Sequence, residues 1–349
     1  MAINYGDISP RTAAYVVKQL LERAIPVLLI EKFGQTYPIP QNNTKSAKWR
    51  RYFLTGSTGS AGSGSGAFYV PLALTPLVEG VTPSGSRMSN ADYTVTLAQY
   101  GDYVTITDVV LDTHEDQVLQ EAVDILGEQA AYTIETIRYN VLKAGTNVFR
   151  LGAAGALVAS RNLVNGPMTL GAQRSITTAL NRQNARRFTK VVASTPAFRT
   201  EPVEAAYVGL CHPDLETDIR TIPGFIHTKQ YGTVTPWESE IGSVEGVRYL
   251  SSTIFTPWAD LGAATSGGTT YRSTGGTYWD VYPIIYLARD AFGIVPLKGK
   301  DSIVPMVVNP KPAPGDPLAQ RGTVGWKAWQ AAVILQDAFL IRAEVCATA

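Results

Sequence analysis

Cysteine and histidine are scarce: the 349 residues include only Cys211 and Cys346, and only His114, His212 and His227. No CxxC or HExxH pairing occurs, so neither a disulfide framework nor a common zinc site is encoded, and a reducing site of synthesis is the default. Charge is scarce as well, at 17% of residues. A soluble domain usually carries roughly 25%. A monomer so poor in charge risks poor solubility, whereas a chain that buries its surface against copies of itself does not. The formal net charge of +1 gives no overall nucleic-acid footprint. Long apolar runs are missing too. Near the start the longest is Val27 to Ile30, far short of the roughly 20 residues of a membrane span. The first residues lack the basic-then-apolar profile of a secretion signal, so Asn42-Asn43-Thr44 reads as a chance glycosylation match.

Catalytic signatures are equally thin. There is no GxSxG elbow. The glycine-serine run Gly56 to Gly66 lacks the lysine of a phosphate-binding loop and reads as a linker. His114-Glu115-Asp116 is better explained as the start of a helix than as a ligand set. Cys211-His212-Pro213-Asp214 reads as a strand end followed by a helix start, with a hidden hydrolase triad around His212 as a remote third reading.

What is present is a 45% apolar composition, enough for a sizeable core in about two domains or one large body with appendages. The near-neutral total hides segregation. Residues 1–51 hold eight bases and three acids, residues 79–135 eleven acids and one base, and residues 138–199 ten bases and no acid. Blocks of opposite sign attract within a fold or between copies.

Helical spacing marks residues 11–33, entered through Ser9-Pro10 and kinked or broken at Pro26. It marks 113–145 more strongly. There Thr113 stands at the N-cap, and Val118, Ala122, Ile125, Leu126, Ala130, Ile134, Ile137 and Val141 form the apolar stripe. Gly145 is placed for a left-handed cap. A further helix is expected over 170–184, capped by Thr169, and a short one from Pro213 to Arg220. Period-two alternation predicts strands at 93–98 and 103–107 with a turn or bulge at Gln99–Asp102 between them. Strands are also expected at 205–210, within 280–295, at 303–308, and as a pair over Trp326–Cys346. Residues 262–277 read as a mobile Gly/Ser/Thr loop, and Lys311–Pro317 as a rigid linker. The fold class is α+β.

The order of certain pieces resembles a known family. These are Ala98-Gln-Tyr-Gly-Asp-Tyr-Val-Thr-Ile-Thr-Asp-Val-Val110, Asp112-Thr-His-Glu-Asp116, Leu126-Gly-Glu-Gln-Ala-Ala131 and Ala144-Gly-Thr-Asn-Val148, followed by His212-Pro-Asp214, Glu240-Ile-Gly-Ser-Val-Glu-Gly-Val-Arg248 and Asp316-Pro-Leu-Ala-Gln-Arg-Gly-Thr-Val-Gly-Trp-Lys327. Together they resemble the major capsid proteins of tailed bacteriophages, in the group typified by coliphage N-four. The resemblance covers about residues 70–345 and implies the Hong Kong 97 coat-protein fold. It implies an N-terminal arm (1–55), an extended loop (56–100), a peripheral domain (101–166) with a spine helix at 113–145, an axial domain (167–300), and C-terminal strands (301–349) returning to the peripheral domain. The implied function is self-assembly into pentamers and hexamers of an icosahedral head around double-stranded DNA. DNA is met non-specifically, with scaffold, portal and cement proteins as further partners. No membrane, cofactor, metal or catalytic residue is implied. The expected location is the virion, after assembly in the host bacterial cytoplasm. The alternative is an encapsulin-type nanocompartment shell.

Candidate inter-subunit contacts are the basic cluster Lys45, Lys48, Trp49, Arg50 and Arg51, then Tyr69, Glu79 and Arg87 in the loop, and Arg321 and Trp326 near the C-terminus. For each, the plainer reading is a fold-internal or merely solvated side chain.

Overall fold

The computed structural model describes residues 28–37, 39, 44–55, 76–82, 87–109, 118–188, 205–231, 236–265, 270–296, 303–308, 310, 312 and 317–349. Strands and α-helices are numbered below in chain order within those residues. The expected helix start at 113–117, the run 56–66, Tyr69 and most of 311–317 lie outside them.

The 14-residue strand β13 (Arg321–Ile334) organises one sheet. Its apolar residues Val324, Trp326 and Ala328 recur at period two and so share one buried face. β4 (Ala98–Thr107) pairs antiparallel along it from Arg321↔Thr107 to Gln330↔Ala98. β12 (Ile303–Val308) and then β11 (Phe292–Pro296) pair with it in turn, and β1 (Gln35–Thr36) adds to β11 in parallel. The expected turn at Gln99–Asp102 does not exist: β4 runs straight through it. Gly101 serves close approach instead, because a Cβ there would meet the Trp326 carbonyl oxygen at 2.6 Å.

Helix α1 (Val118–Lys143) lies across this sheet. At 1.5 Å per residue its 26 residues span about 39 Å. Val123, Leu126, Ala130 and Ile134 bury against Ile106, Val324, Trp326 and Ala328. The expected stripe needs one correction, since Ile125 is 62% exposed. The face is set by positions 123, 126, 130 and 134, and Ile125 lies off it. Gly145 is a second correction, because it does not adopt positive φ. The helix ends in a tight turn, with the Gly145 N–H donating to the Leu142 carbonyl. Glycine is needed there because a Cβ would meet Leu340 Cδ2 at 2.7 Å.

The second sheet has seven strands in the order β5 (Val148–Arg150), β14 (Leu340–Val345), β10 (Tyr282–Leu287), β6 (Tyr207–Cys211), β9 (Val247–Ser251), β8 (Glu240–Val244) and β7 (Ile226–His227). β14, β10 and β6 are buried throughout. Helix α2 (Leu170–Arg182) packs Ala172, Ile176 and Leu180 into the same core, and Thr169 caps it as expected, accepting from Ala172 N at 3.3 Å. His212-Pro213 opens a 3-10 turn that leads into α3 (Glu216–Arg220). At the core's centre Gln173 Oε1 accepts from Tyr249 and Tyr286, whose hydroxyls are 2.9 Å apart. β8 and β9 are joined by Glu245-Gly246, both at positive φ, as a two-residue hairpin with the sheet's twist requires.

One expected pairing is corrected by this topology. β13 and β14 do not pair with each other but belong to different sheets, and the strand residues within 280–295 divide between the same two sheets as β10 and β11. Of the expected first helix at 11–33, residues 11–27 lie outside the described residues, and Ile30–Phe33 form a 3-10 turn. The described part of the 262–277 loop is pinned. Asp280 accepts from Thr274 N and Oγ1 and from Asp260 N, while Asp260 accepts from Gly275 N.

Candidate assembly interface

Strands β2 (Ser46–Thr55) and β3 (Arg87–Thr96) form an antiparallel ribbon in register from Ser46↔Thr96 to Thr55↔Arg87. Ten residues at about 3.4 Å make it roughly 30 Å long. No third strand joins it among the described residues. β3 passes through Leu97 directly into β4, so the ribbon is the outward continuation of the sheet under α1. Alternation divides its side chains. Ala47, Trp49 and Arg51 turn toward the body, and Lys48, Arg50 and Tyr52 toward solvent.

Trp49 is the anchor. Its ring lies over Gly293, where a Cβ would meet it at 2.6 Å, and 5.7 Å from the Tyr37 ring. Arg51 Nη1 donates to Gln336 Oε1 in the β13–β14 connection, and burial lowers its pKa. On the solvent face Asp92 takes Arg50 Nε at 2.8 Å, Arg50 Nη2 at 3.1 Å and Lys48 Nζ at 2.7 Å. The hydrogen bonds from Arg50 and Lys48 hold its carboxyl well below the usual carboxylate range. These charges are exposed and contribute little to the subunit's own stability. Lys45 is exposed just before β2, and its carbonyl accepts from Leu97 N.

Glu79 and Arg87 are exposed on the segment between the two ribbon strands and at the start of β3. Residues 76–82 are exposed throughout. They carry Leu77, Val78 and Val81 at 79%, 66% and 62% exposure around a turn at Gly80. Three exposed aliphatic side chains in five residues are what a monomer avoids and an interface uses. Arg321 is exposed at the first residue of β13. Trp326 is a correction. At 4% exposure it belongs to the core under α1, and its Nε1 donates to Gln129 Oε1 at 3.2 Å. Asp102 accepts from Gln129 Nε2 and Tyr103 N, and these bonds lower its pKa.

Sequence reasoning missed the join between the N-terminal region and α1. Glu135 Oε1 accepts from the backbone N–H groups of Leu29 at 3.0 Å and Ile30 at 2.8 Å. Beside it Arg138 donates to Glu31 at 2.9 Å and Gln330 at 3.0 Å. Burial raises the Glu135 pKa to about 7. The available signal was two ionisable residues, Glu135 and Arg138, inside an otherwise apolar helix face. At the far end of α1, Arg150, Arg161 and Arg342 surround the fully buried Glu344 at 2.8–3.1 Å. Burial pushes the Glu344 carboxyl up, but Arg161, Arg342 and Arg150 hold it below the usual range. Burial together with Arg161 and Arg342 lowers the Lys143 pKa to about 8.

The residues around His212 do not assemble a nucleophile and base. The Cys211 thiol is buried, donates to the Leu250 carbonyl, and is pushed up by burial. His212 Nδ1 accepts from Asp214 N, and Asp214 is taken by Tyr282 Oη at 2.8 Å and Arg272 at 3.3 Å. Among the described residues no three His, Cys, Asp or Glu side chains group as metal ligands, and no helix is long and apolar enough to cross a membrane.

The profile of the family described as "Phage capsid protein" matches residues 91–343. The chain belongs to this family. No curated protein matches the sequence. Solved structures share the fold at low identity. The capsid of Ralstonia phage GP4 superposes with a TM-score of 0.61 at 11% identity, over 90% of this chain and 87% of that one. The capsid structure of cyanophage P-SCSP1u gives 0.56 at 15%, over 91% and 88%. The cyanophage Pam1 capsid gives 0.53 at 14%, over 90% and 88%. This phage capsid protein is a major structural subunit of the virion head shell, a mixed α and β chain that assembles with its own copies. The family match selects this reading over the encapsulin-type alternative.

Proposed function

We propose that this capsid protein builds the icosahedral head of a tailed phage of the coliphage N-four-like group, in the Hong Kong 97 arrangement, around double-stranded DNA. In that reading residues 1–55 are the arm, 56–100 the extended loop, 101–166 the peripheral domain around α1, 167–300 the axial domain, and 301–349 the returning strands. The ribbon shared by 46–55 and 87–96 then belongs to arm and loop together. Lys45, Lys48, Trp49, Arg50, Arg51, Glu79, Arg87 and Arg321 are the proposed contacts with neighbouring copies, as is Tyr69, which lies outside the described residues. DNA is met through non-specific charge, and scaffold, portal and cement proteins complete the head in the host cytoplasm.

The observation that carries this reading is the two-stranded ribbon, which no third strand joins among the described residues, with exposed Leu77, Val78 and Val81 on the segment between its strands. Many such contacts, each weak, close a stable shell by avidity. The test is the nucleic-acid content of nuclease-treated particles purified from infected cells. Protected genome-length DNA inside shells of this chain supports the reading. Shells enclosing protein cargo and no DNA would overturn it.

A further inference from the structure

The base of the ribbon closes on a cleft of about 560 Å³. Three contacts build it. The Trp49 ring seats over Gly293 and holds β2 on the first sheet. Leu335 N and Gln336 N both donate to the Ala291 carbonyl, which ties the β13–β14 connection to the β10–β11 turn. Arg289 N donates to the Arg186 carbonyl at 2.9 Å, which brings that turn against the loop that follows α2. Four guanidinium groups, those of Arg50, Arg51, Arg186 and Arg289, therefore line one cavity, and the single carboxylate among its lining residues is Asp290. Their compensation is uneven. Arg50 gives Nε and Nη2 to Asp92, which also serves Lys48. Half-buried Arg51 donates from Nη1 to the neutral amide of Gln336. Arg289 Nε stands 4.0 Å from Asp290, and with both side chains more than half exposed that pair contributes little. Arg186 is exposed, and its side chain makes no hydrogen bond or ion pair among the described residues. The Gln35 and Asn184 carboxamides add further N–H donors to the walls.

The walls define the ligand's chemistry. Excess positive charge repels a metal ion or a basic group. A neutral apolar molecule would strand the guanidinium groups away from water. The planar fork of arginine, in contrast, matches phosphate oxygens two at a time. The volume lies in the range of small-molecule sites. We propose that this cleft binds a phosphate-bearing polyanion, held between Arg186 and Arg289 with Arg50 and Arg51 on the ribbon side. Bound there, it ties the ribbon to the two turns across the cleft and offsets the mutual repulsion of the four cations. The site lies within one chain and so stands apart from the shell reading. Two sources supply this chemistry: free di- and triphosphates, and the phosphodiester backbone of DNA.

The experiment titrates the unassembled full chain with tripolyphosphate by calorimetry at constant ionic strength, and melts the chain with and without it. One saturating site per chain is expected, with a raised melting temperature and an affinity that falls as salt rises. Arg186→Gln with Arg289→Gln weakens binding by about tenfold or more. Both side chains are exposed, so the melting temperature without ligand stays at wild type. If the paired change unsettles the fold, Arg186→Gln alone is measured and still weakens binding severalfold. The control, Arg174→Gln with Arg220→Gln, removes two exposed arginines that do not line the cleft. It leaves the affinity within about twofold, because distant exposed charges are screened. No saturable binding, wild-type affinity without Arg186 and Arg289, or equal weakening by both pairs overturns the proposal. Competition with a short DNA duplex then assigns the source: displacement of tripolyphosphate supports the DNA backbone, and its absence supports a free phosphate compound.

Discussion

Replacing Glu135 by glutamine isolates the cost of holding a carboxylate inside α1. The side chain is buried, and burial raises its pKa from 4.5 to about 7. The folded chain therefore keeps a proton that the unfolded chain releases between those values, and folding stability falls as pH rises from 4.5 through 7. Each pKa unit corresponds to about 1.4 kcal/mol, so the charged form costs about 3 kcal/mol by pH 8.5. Glutamine still accepts from Leu29 N and Ile30 N through its amide oxygen. Its NH2 group replaces Glu135 Oε2, which has no hydrogen-bond partner among the described residues. A buried unpaired donor costs about 1–3 kcal/mol at any pH. Glu135→Gln is thus expected to be less stable than wild type at pH 5 and equal or more stable at pH 8.5. The assay is urea unfolding of the unassembled full chain at both pH values. All other titrating groups cancel in the difference between variant and wild type, which should change by about 3 kcal/mol across the range. Parallel pH profiles would refute the reasoning, since they would mean that Glu135 is solvated or fully paired in its charged form.

Three further outcomes follow from the packing. Glu344→Gln leaves Arg150, Arg161 and Arg342 without their shared carboxylate and should destabilise the subunit by about 3–5 kcal/mol in the same unfolding assay. Trp326→Ala should cost about 3–5 kcal/mol in the unassembled chain; unchanged stability with lost assembly would return Trp326 to the surface. Gly101→Ala should cost about 1–3 kcal/mol, because the new methyl meets the Trp326 carbonyl on the paired strand. A thermal melt at neutral pH reads that directly.

The parts legible in the sequence were those fixed by local periodicity and capping. The Thr169 cap, the strand at Ile303–Val308 and the body of the long helix from Val118 to Lys143 fall where the pattern puts them, because nearby residues decide them. Glycine was less legible. Gly101 looks like turn chemistry but serves a close strand crossing, and Gly145 looks like a left-handed cap but makes room for Leu340. Strand partners were not legible either. β13 and β14 are five residues apart and equally apolar, yet the 3-10 turn at Asp337–Phe339 sends the second into another sheet. The ribbon explains the basic cluster at 45–51 in a way that composition could not. Its inward residues hold the base, and its outward ones share Asp92 across a 42-residue separation.

This chain works by tiling with its own copies. Electron microscopy of concentrated full-length protein, reconstructed to the level of strands, tests it most directly. Closed shells are expected, with the ribbon and Leu77, Val78 and Val81 covered by a neighbouring copy. Particles that remain single subunits at every concentration, or shells in which the ribbon stands free in solvent, would contradict it.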